Sequence, residues 1–192
     1  MYYAIYRNIR DSAWQCLLDF KIDRIPVDVL AIARDANITV TRNTSAFKLS
    51  NSEYGRTLTD GKSWIIIYDD TMPEEVSRFT IAHELGHIFL GHDMTYVKYS
   101  HLKEFDKKPK SEQQADAFAL RLLCPACVLW GLNISTAEGI ATCCKVPLNV
   151  AEQREKRMRE LYKRNKFLTS PLEKEVYEKF EHSIKPTDLC NL

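Results

Sequence analysis

The stretch Phe79–Asp93, FTIAHELGHIFLGHD, constrains this chain more than any other. It is apolar on every side of a helix, so it has to pass through a core, yet it carries His83, Glu84 and His87. Burying two imidazoles and a carboxylate is costly unless they are paired or hold a metal. On a helix, His83 and His87 leave the same face one turn apart. At that spacing two imidazoles can share one tetrahedral zinc, with Glu84 beside them near a metal-bound water. The competing reading is a core histidine pair satisfied by backbone and carboxylate.

The sequence sets limits on this helix. Thr71 and Glu74 have capping-box spacing, Pro73 falls in the first turn, and Gly91 suits the C-terminal end after Leu90. Gly86, in mid-helix, costs about 1 kcal/mol relative to Ala, which points to a close neighbour. Upstream, residues 2–20 and a segment from Pro26 to Asn37 are expected helices, with a strand at Ile38–Val40 and a loop over 43–53. Asp60-Gly61 is expected to join strand Arg56–Thr59 to strand Trp64–Tyr68 in a hairpin. Residues 93–110 have no clear period and read as a long surface loop.

A catalytic zinc needs three protein ligands and one open position. The next expected helix, opened by Ser111 and Gln114 and closed by Pro125, carries Glu112 and Asp116 four apart in SEQQADAFALRLL. Glu112 can be the third ligand. Asp116, on the same face, can accept the free ring N–H of a ligating histidine and so fix its tautomer. A solvated acidic first turn is the alternative, but Ala115, Phe118, Ala119 and Leu122 make this helix largely buried.

The run RFTIAHELGHIFLGH followed by EQQADAFALRLLCP resembles the ImmA/IrrE family of zinc metallopeptidases, with HExxH on one helix and ExxA(N/D)xFA and LLxP on the next. IPVDVLAIARDANITV is similar to the helix–strand unit ahead of that family's core, and the likeness spans about residues 25 to 130. It implies an α+β, zincin-like core: a small β-sheet, the HExxH helix and a Glu-bearing helix. N-terminal helices would precede this core, and a helical, HTH-like C-terminal part would follow it. It further implies one Zn²⁺ per chain on His83, His87 and Glu112, with Glu84 as the catalytic glutamate. The implied activity is endopeptidase cleavage of a cytoplasmic protein. In the family this is typically a helix-turn-helix repressor whose loss turns on mobile-element or stress-response genes. Cys124 departs from the pattern, standing where the family often has Met or another apolar residue. Such a site also needs a donor for the oxyanion; His92, Tyr96, Tyr99 and His101 are the candidates. Strand Arg56–Thr59 is a candidate edge for an extended substrate.

Composition narrows the partners. The 192 residues carry 27 Lys+Arg against 26 Asp+Glu, a formal net charge of +1 at pH 7, so overall electrostatics select neither nucleic acid nor membrane. MYYAIYRNIRDSAWQ has no apolar signal region, and no run approaches the roughly 20 apolar residues of a membrane span. A cytoplasmic location is expected, with the six cysteines as reduced thiols. Cys124, Cys127, Cys143 and Cys144 could form a Cys₄ site, but the apolar LLCPACVLW favours buried thiols. Residues 1–130 are expected to form the metallopeptidase domain and 131–192 a helical region.

In that region Ser135 with Glu138 suggests a cap, and Lys145–Pro147 a turn between two helices. Arg154–Lys166 then holds seven basic residues against two acidic. The alternative function is therefore a DNA-binding regulator with a structural or vestigial metal site, because a basic second helix is the electrostatic footprint of one. A solvated face opposite Met158, Leu161 and Tyr162 accounts for the same residues, and docking of the protein substrate is a third use.

Overall fold

The apolar pentapeptide Trp64–Tyr68 forms β3, the middle strand of a three-stranded sheet ordered β1-β3-β2. The computed structural model describes residues 2–50, 53–92 and 109–184. β1 (Ile38–Arg42) runs parallel to β3 with Ile38 opposite Trp64, and β2 (Gly55–Thr59) runs antiparallel with Gly55 opposite Tyr68. The β2–β3 hairpin turns at Asp60-Gly61. The Asp60 carboxylate accepts from the Lys62 and Ser63 N–H groups, and Gly61 supplies a φ of +84°. Ile66 and Ile67 point to opposite faces of β3 and are both in the core, so the middle strand is covered on both sides there, whereas Ile65 is 36% exposed.

The chain divides into two compact units. One takes the described residues of Met1–Ser12 and Asp28–Ala119, the other those of Ala13–Val27 and Leu120–Leu192. Helix α1 (Tyr2–Asp19) contributes to both. The first unit holds α2 (Val29–Asp35), the sheet, the short α3 (Asn43–Ala46), α4 (Glu74–Phe89) and most of α5 (Lys110–Leu123). The architecture is α+β, in keeping with a zincin-like domain. No helix among the described residues is long and apolar enough to cross a membrane.

Several helix starts differ from expectation, either because another side chain caps the helix or because the expected one is engaged elsewhere. Asp28, not Pro26, opens α2 by accepting from the Leu30 and Ala31 N–H groups. The Thr71 hydroxyl donates to Asp69 at 2.7 Å instead of capping α4, which starts directly after Pro73. The Gln114 side chain turns to His92 rather than back to Ser111. Residues 43–46 form a helix where a loop was expected. Of the expected surface loop, residues 93–108 lie outside the described residues.

In the second unit α6 (Ala126–Gly131) and α7 (Ala137–Cys144) precede α8 (Leu148–Lys163), with α9 (Pro171–Lys179) and α10 (Glu181–Ile184) after it. Thr136, not Ser135, caps α7 by accepting from the Gly139 N–H. The turn before α8 has Lys145 at φ +50°. The inner stripe of α8 is Val150, Ala151, Arg154 and Met158, whereas Tyr162 is exposed. Arg154, counted on sequence among the basic residues of a possible DNA face, is thus interior, while Arg157 and Arg159 pair with Glu160 and Glu155. The net basic surface of α8 is correspondingly smaller than its sequence suggests.

Gly86 explains how α4 and α5 come close. A Cβ there would lie 3.2 Å from the Cα and O of Ala115 and 3.2 Å from the Phe118 Cβ. Gly86→Ala should gain helix propensity of about 1 kcal/mol, yet force backbone against backbone. Overpacking of this kind costs about 1–3 kcal/mol. The expected outcome is net destabilisation, seen as a lower denaturation midpoint at unchanged m-value.

Candidate metal centre

Helix α4 presents His83 and His87 one turn apart, and the close approach at Gly86 brings Glu112 of α5 opposite them. His83 Nε2 lies 3.2 Å from Glu112 Oε2, and His87 Nε2 lies 3.2 Å from Glu112 Oε1. The two imidazole Nε2 atoms are 3.0 Å apart. All three side chains are buried, and they form the one group of at least three His, Cys, Asp or Glu able to hold a metal ion among the described residues.

The outward ring nitrogens are each engaged. His83 Nδ1 is 2.8 Å from Asp116 Oδ1, one turn along α5 from Glu112. His87 Nδ1 is 3.0 Å from His92 Nδ1, and His92 Nε2 is 3.0 Å from Gln114 Oε1. The amide oxygen can only accept, so His92 donates from Nε2 and turns a bare Nδ1 to the His87 Nδ1–H. By the same reasoning His83 donates from Nδ1 to Asp116. Both metal-facing Nε2 atoms are left as bare lone pairs. Two such lone pairs at this distance cannot bond each other, and buried Glu112 Oε1 has no hydrogen-bond partner. A cation is what three inward acceptors require, and the donor set suits a divalent metal with an open position.

Charge supports the same conclusion. Burial disfavours a charged His83, yet Asp116 and Glu112, together with the charge of Glu84, push it up to about 10. Burial would raise the Glu112 carboxyl, but the two imidazoles hold it well below the usual carboxylate range. Burial and the neighbouring His87 lower His92, in line with its neutral acceptor role. The negative field that would otherwise retain a proton on His83 is available to a divalent cation.

Glu84, 6% exposed, follows His83 on α4, and its charge acts on that imidazole. Its Oε2 accepts from the Thr57 hydroxyl at 2.6 Å. Gly55 allows this approach of β2, since a Cβ there would collide with Thr80 Cγ2 and sit 3.4 Å from Glu84 Oε1. Sequence reasoning missed Thr57, Gly55 and Gln114. The Thr57–Glu84 bond spans 27 positions and leaves no local pattern, whereas Gly55 at the head of a strand was a visible hint of close backbone approach.

The oxyanion candidates divide between the described and undescribed parts of the chain. His92 is held by the closure of α4. Gly91, at φ +66°, lets its N–H reach the Ile88 carbonyl and the His92 N–H reach the His87 carbonyl at 3.0 Å. Both His92 ring nitrogens have the partners named above. Tyr96, Tyr99 and His101 lie outside the described residues. The thiols do not form a second metal group among the described residues.

The His92 geometry gives a graded test. Loss of an outer-shell partner typically lowers metal affinity about 10–100-fold. His92→Ala should show that loss in chelator competition. His92→Asn keeps an acceptor where Nδ1 was and should retain most of the affinity. Equal affinity in all three proteins would contradict the tautomer assignment.

Comparison with protein families supplies an independent line. The family model described as the IrrE N-terminal-like domain, a peptidase family, matches residues 33–156. The match takes in the whole sheet, α4 with His83, Glu84 and His87, and α5 with Glu112. No curated protein matches the chain. A match over well more than half of the sequence, centred on a buried His-His-Glu group, places this chain in the IrrE N-terminal-like family of metallopeptidases.

Proposed function

We propose that this protein is a zinc-dependent endopeptidase of the cytoplasm. Its substrate would be a helix-turn-helix transcriptional repressor that controls mobile-element or stress-response genes. The observation that carries the chemistry is the convergence of His83 Nε2, His87 Nε2 and the Glu112 carboxylate beside Glu84. The His₂Glu donor set favours zinc among the divalent metals, because it is one of the ligand sets of catalytic zinc sites. The repressor substrate rests on the resemblance of RFTIAHELGHIFLGH and EQQADAFALRLLCP to the ImmA/IrrE family.

His83, His87 and Glu112 would hold the metal, and Asp116 would orient His83 from outside. Held by these residues, zinc would supply Lewis acidity to lower the pKa of a water to about 7 and to polarise a carbonyl. Glu84 takes the proton from the attacking water and later delivers it to the departing amine. Thr57, donating to Oε2, fixes the carboxylate and leaves Oε1 for that transfer. The burial of Glu84 keeps bulk water from competing for the proton.

The substrate would bind extended. In the order β1-β3-β2, β2 is an edge strand among the described residues, and it carries Thr57 next to Glu84. An added strand along β2 passes its scissile bond by the glutamate and needs no anchor for a free terminus, which favours internal cleavage.

Two measurements test the function. Co-expression with candidate helix-turn-helix repressors of the same genome should yield chelator-sensitive cleavage. Glu84→Gln should reduce it about 10²–10⁴-fold with metal content retained; wild-type cleavage by that variant removes the mechanism. Thr57→Val loses one hydrogen bond to a charged group, worth about 1.5–3 kcal/mol. It should lower kcat at least about tenfold with metal affinity unchanged.

A further inference from the structure

The two faces of the β2–β3 hairpin are used differently. Thr57, registered opposite Ile66, points to α4 and donates to Glu84. Arg56 and Leu58 therefore stand on the other face, with their cross-strand partners Ile67 and Ile65. On that face Ile67 is buried, whereas Leu58 is 38% exposed and Ile65 is 36% exposed. Thr39 of β1, registered with Ile65, is exposed as well. An apolar pair flanked by a threonine thus lies open on the side of the sheet away from the metal centre.

What borders this pair decides its occupant. β2 is an edge strand, and among the described residues none of Gly55–Thr59 makes a backbone hydrogen bond beyond the sheet. An edge of that kind takes an added strand, and the side chains of that strand alternate between the same two faces. One set passes Thr57 and Glu84; the other stands beside Leu58. Arg56, the other outward residue of β2, is already held by Glu53, which also accepts from the Ser50 N–H. Its charge is answered, which leaves Leu58 as the selective side chain on this face.

We propose that Leu58, backed by Ile65, is a specificity subsite. It selects extended substrate segments that carry an aliphatic or aromatic residue within about two positions of the cut bond, next in the chain to a residue facing the metal centre. This rests on the reading of the protein as a peptidase that binds its substrate along β2.

The physical basis is the cross-strand pair. Residues directly opposite on neighbouring strands have Cβ atoms about 4.5–5.5 Å apart, and apolar partners at that separation attract. A substrate lysine or carboxylate beside Leu58 loses water with no partner in return. Because Leu58 stays partly open, the preference is graded, about two- to fivefold in kcat/KM. A second copy of the chain fits this pair less well. Two side chains offer far less than the roughly 1,200 Å² that a stable dimer buries, whereas a bound strand needs one side chain here.

The test digests a library of randomised dodecapeptides, blocked at both ends, with the zinc-loaded full chain and aligns the products at the cut bond by mass spectrometry. Should the chain cut only a folded repressor, the same positions are varied in that repressor. Wild type should enrich Val, Ile, Leu, Phe or Tyr over Asp, Glu and Lys at one position within about two residues of the cut. Leu58→Lys, which an exposed edge strand tolerates, should move that one preference to Asp and Glu by about two- to fivefold. Leu58→Glu should move it to Lys and Arg, and Leu58→Thr, which keeps β propensity, should flatten it; circular dichroism checks the fold of each. Unchanged profiles in folded variants overturn the subsite. So does Leu58→Lys turning a dimer into a monomer with its profile unchanged, which makes a second copy the occupant. If wild type shows no chelator-sensitive cleavage of library or repressor, the peptidase reading itself fails, and the subsite with it.

Discussion

The first unit is organised around three buried acceptors that face one another. His83 Nε2, His87 Nε2 and Glu112 Oε1 converge with no donor among them, an arrangement that costs free energy unless a cation is shared. Everything near the site serves to impose it. Gly86 removes the side chain that would keep α4 and α5 apart, Asp116 and His92 settle which ring nitrogen carries each proton, and the sheet fixes Glu84 through Thr57. Occupancy of the site and stability of the fold are thereby linked, since an ion bound only by the folded chain stabilises it by mass action.

The two helices divide the labour unequally. α4 is buried from Thr80 to His87, so its polar side chains have no solvent to turn to and keep the rotamers that neighbours dictate. α5 instead approaches with its first two turns, where Glu112 and Asp116 lie one turn apart. One carboxylate faces both imidazoles and the other reaches behind His83. Exchanging their roles would leave Asp116, 28% exposed at its side chain, to do work that needs a water-excluded carboxylate. The gradient of burial along α5, as much as residue type, assigns the roles.

Much of this was legible in the sequence because periodicity reports faces. The spacing of His83 and His87 on an apolar helix, and of Glu112 and Asp116 on the next, set which side chains could meet. The Asp60-Gly61 turn and the strands around it were equally readable. Helix starts were less so: Asp28, Pro73 and Thr136 begin helices where Pro26, Thr71 and Ser135 were expected. A cap depends on which side-chain oxygen is free, and Asp69 had already taken the Thr71 hydroxyl. The contacts Thr57–Glu84 and His92–Gln114 join residues 27 and 22 positions apart, and pairings of that kind leave no periodic trace.

Arg154 shows where pattern reading misleads in the other direction. A basic run is ordinarily a solvated face, and six of the seven cations between Arg154 and Lys166 lie outside the buried stripe of α8. The seventh follows Val150 and precedes Met158 at intervals of four, so helical periodicity alone assigns it to the interior. Charge count ignores that position; the hydrophobic stripe identifies it. Once inside, a guanidinium has to be answered by a carbonyl and by whatever anion the packing provides. Here the Leu120 carbonyl accepts from its Nη2 at 2.8 Å, and its Nε has no hydrogen-bond partner. The inward step of one basic residue thus removes it from the surface charge that the sequence credited to a DNA-reading face.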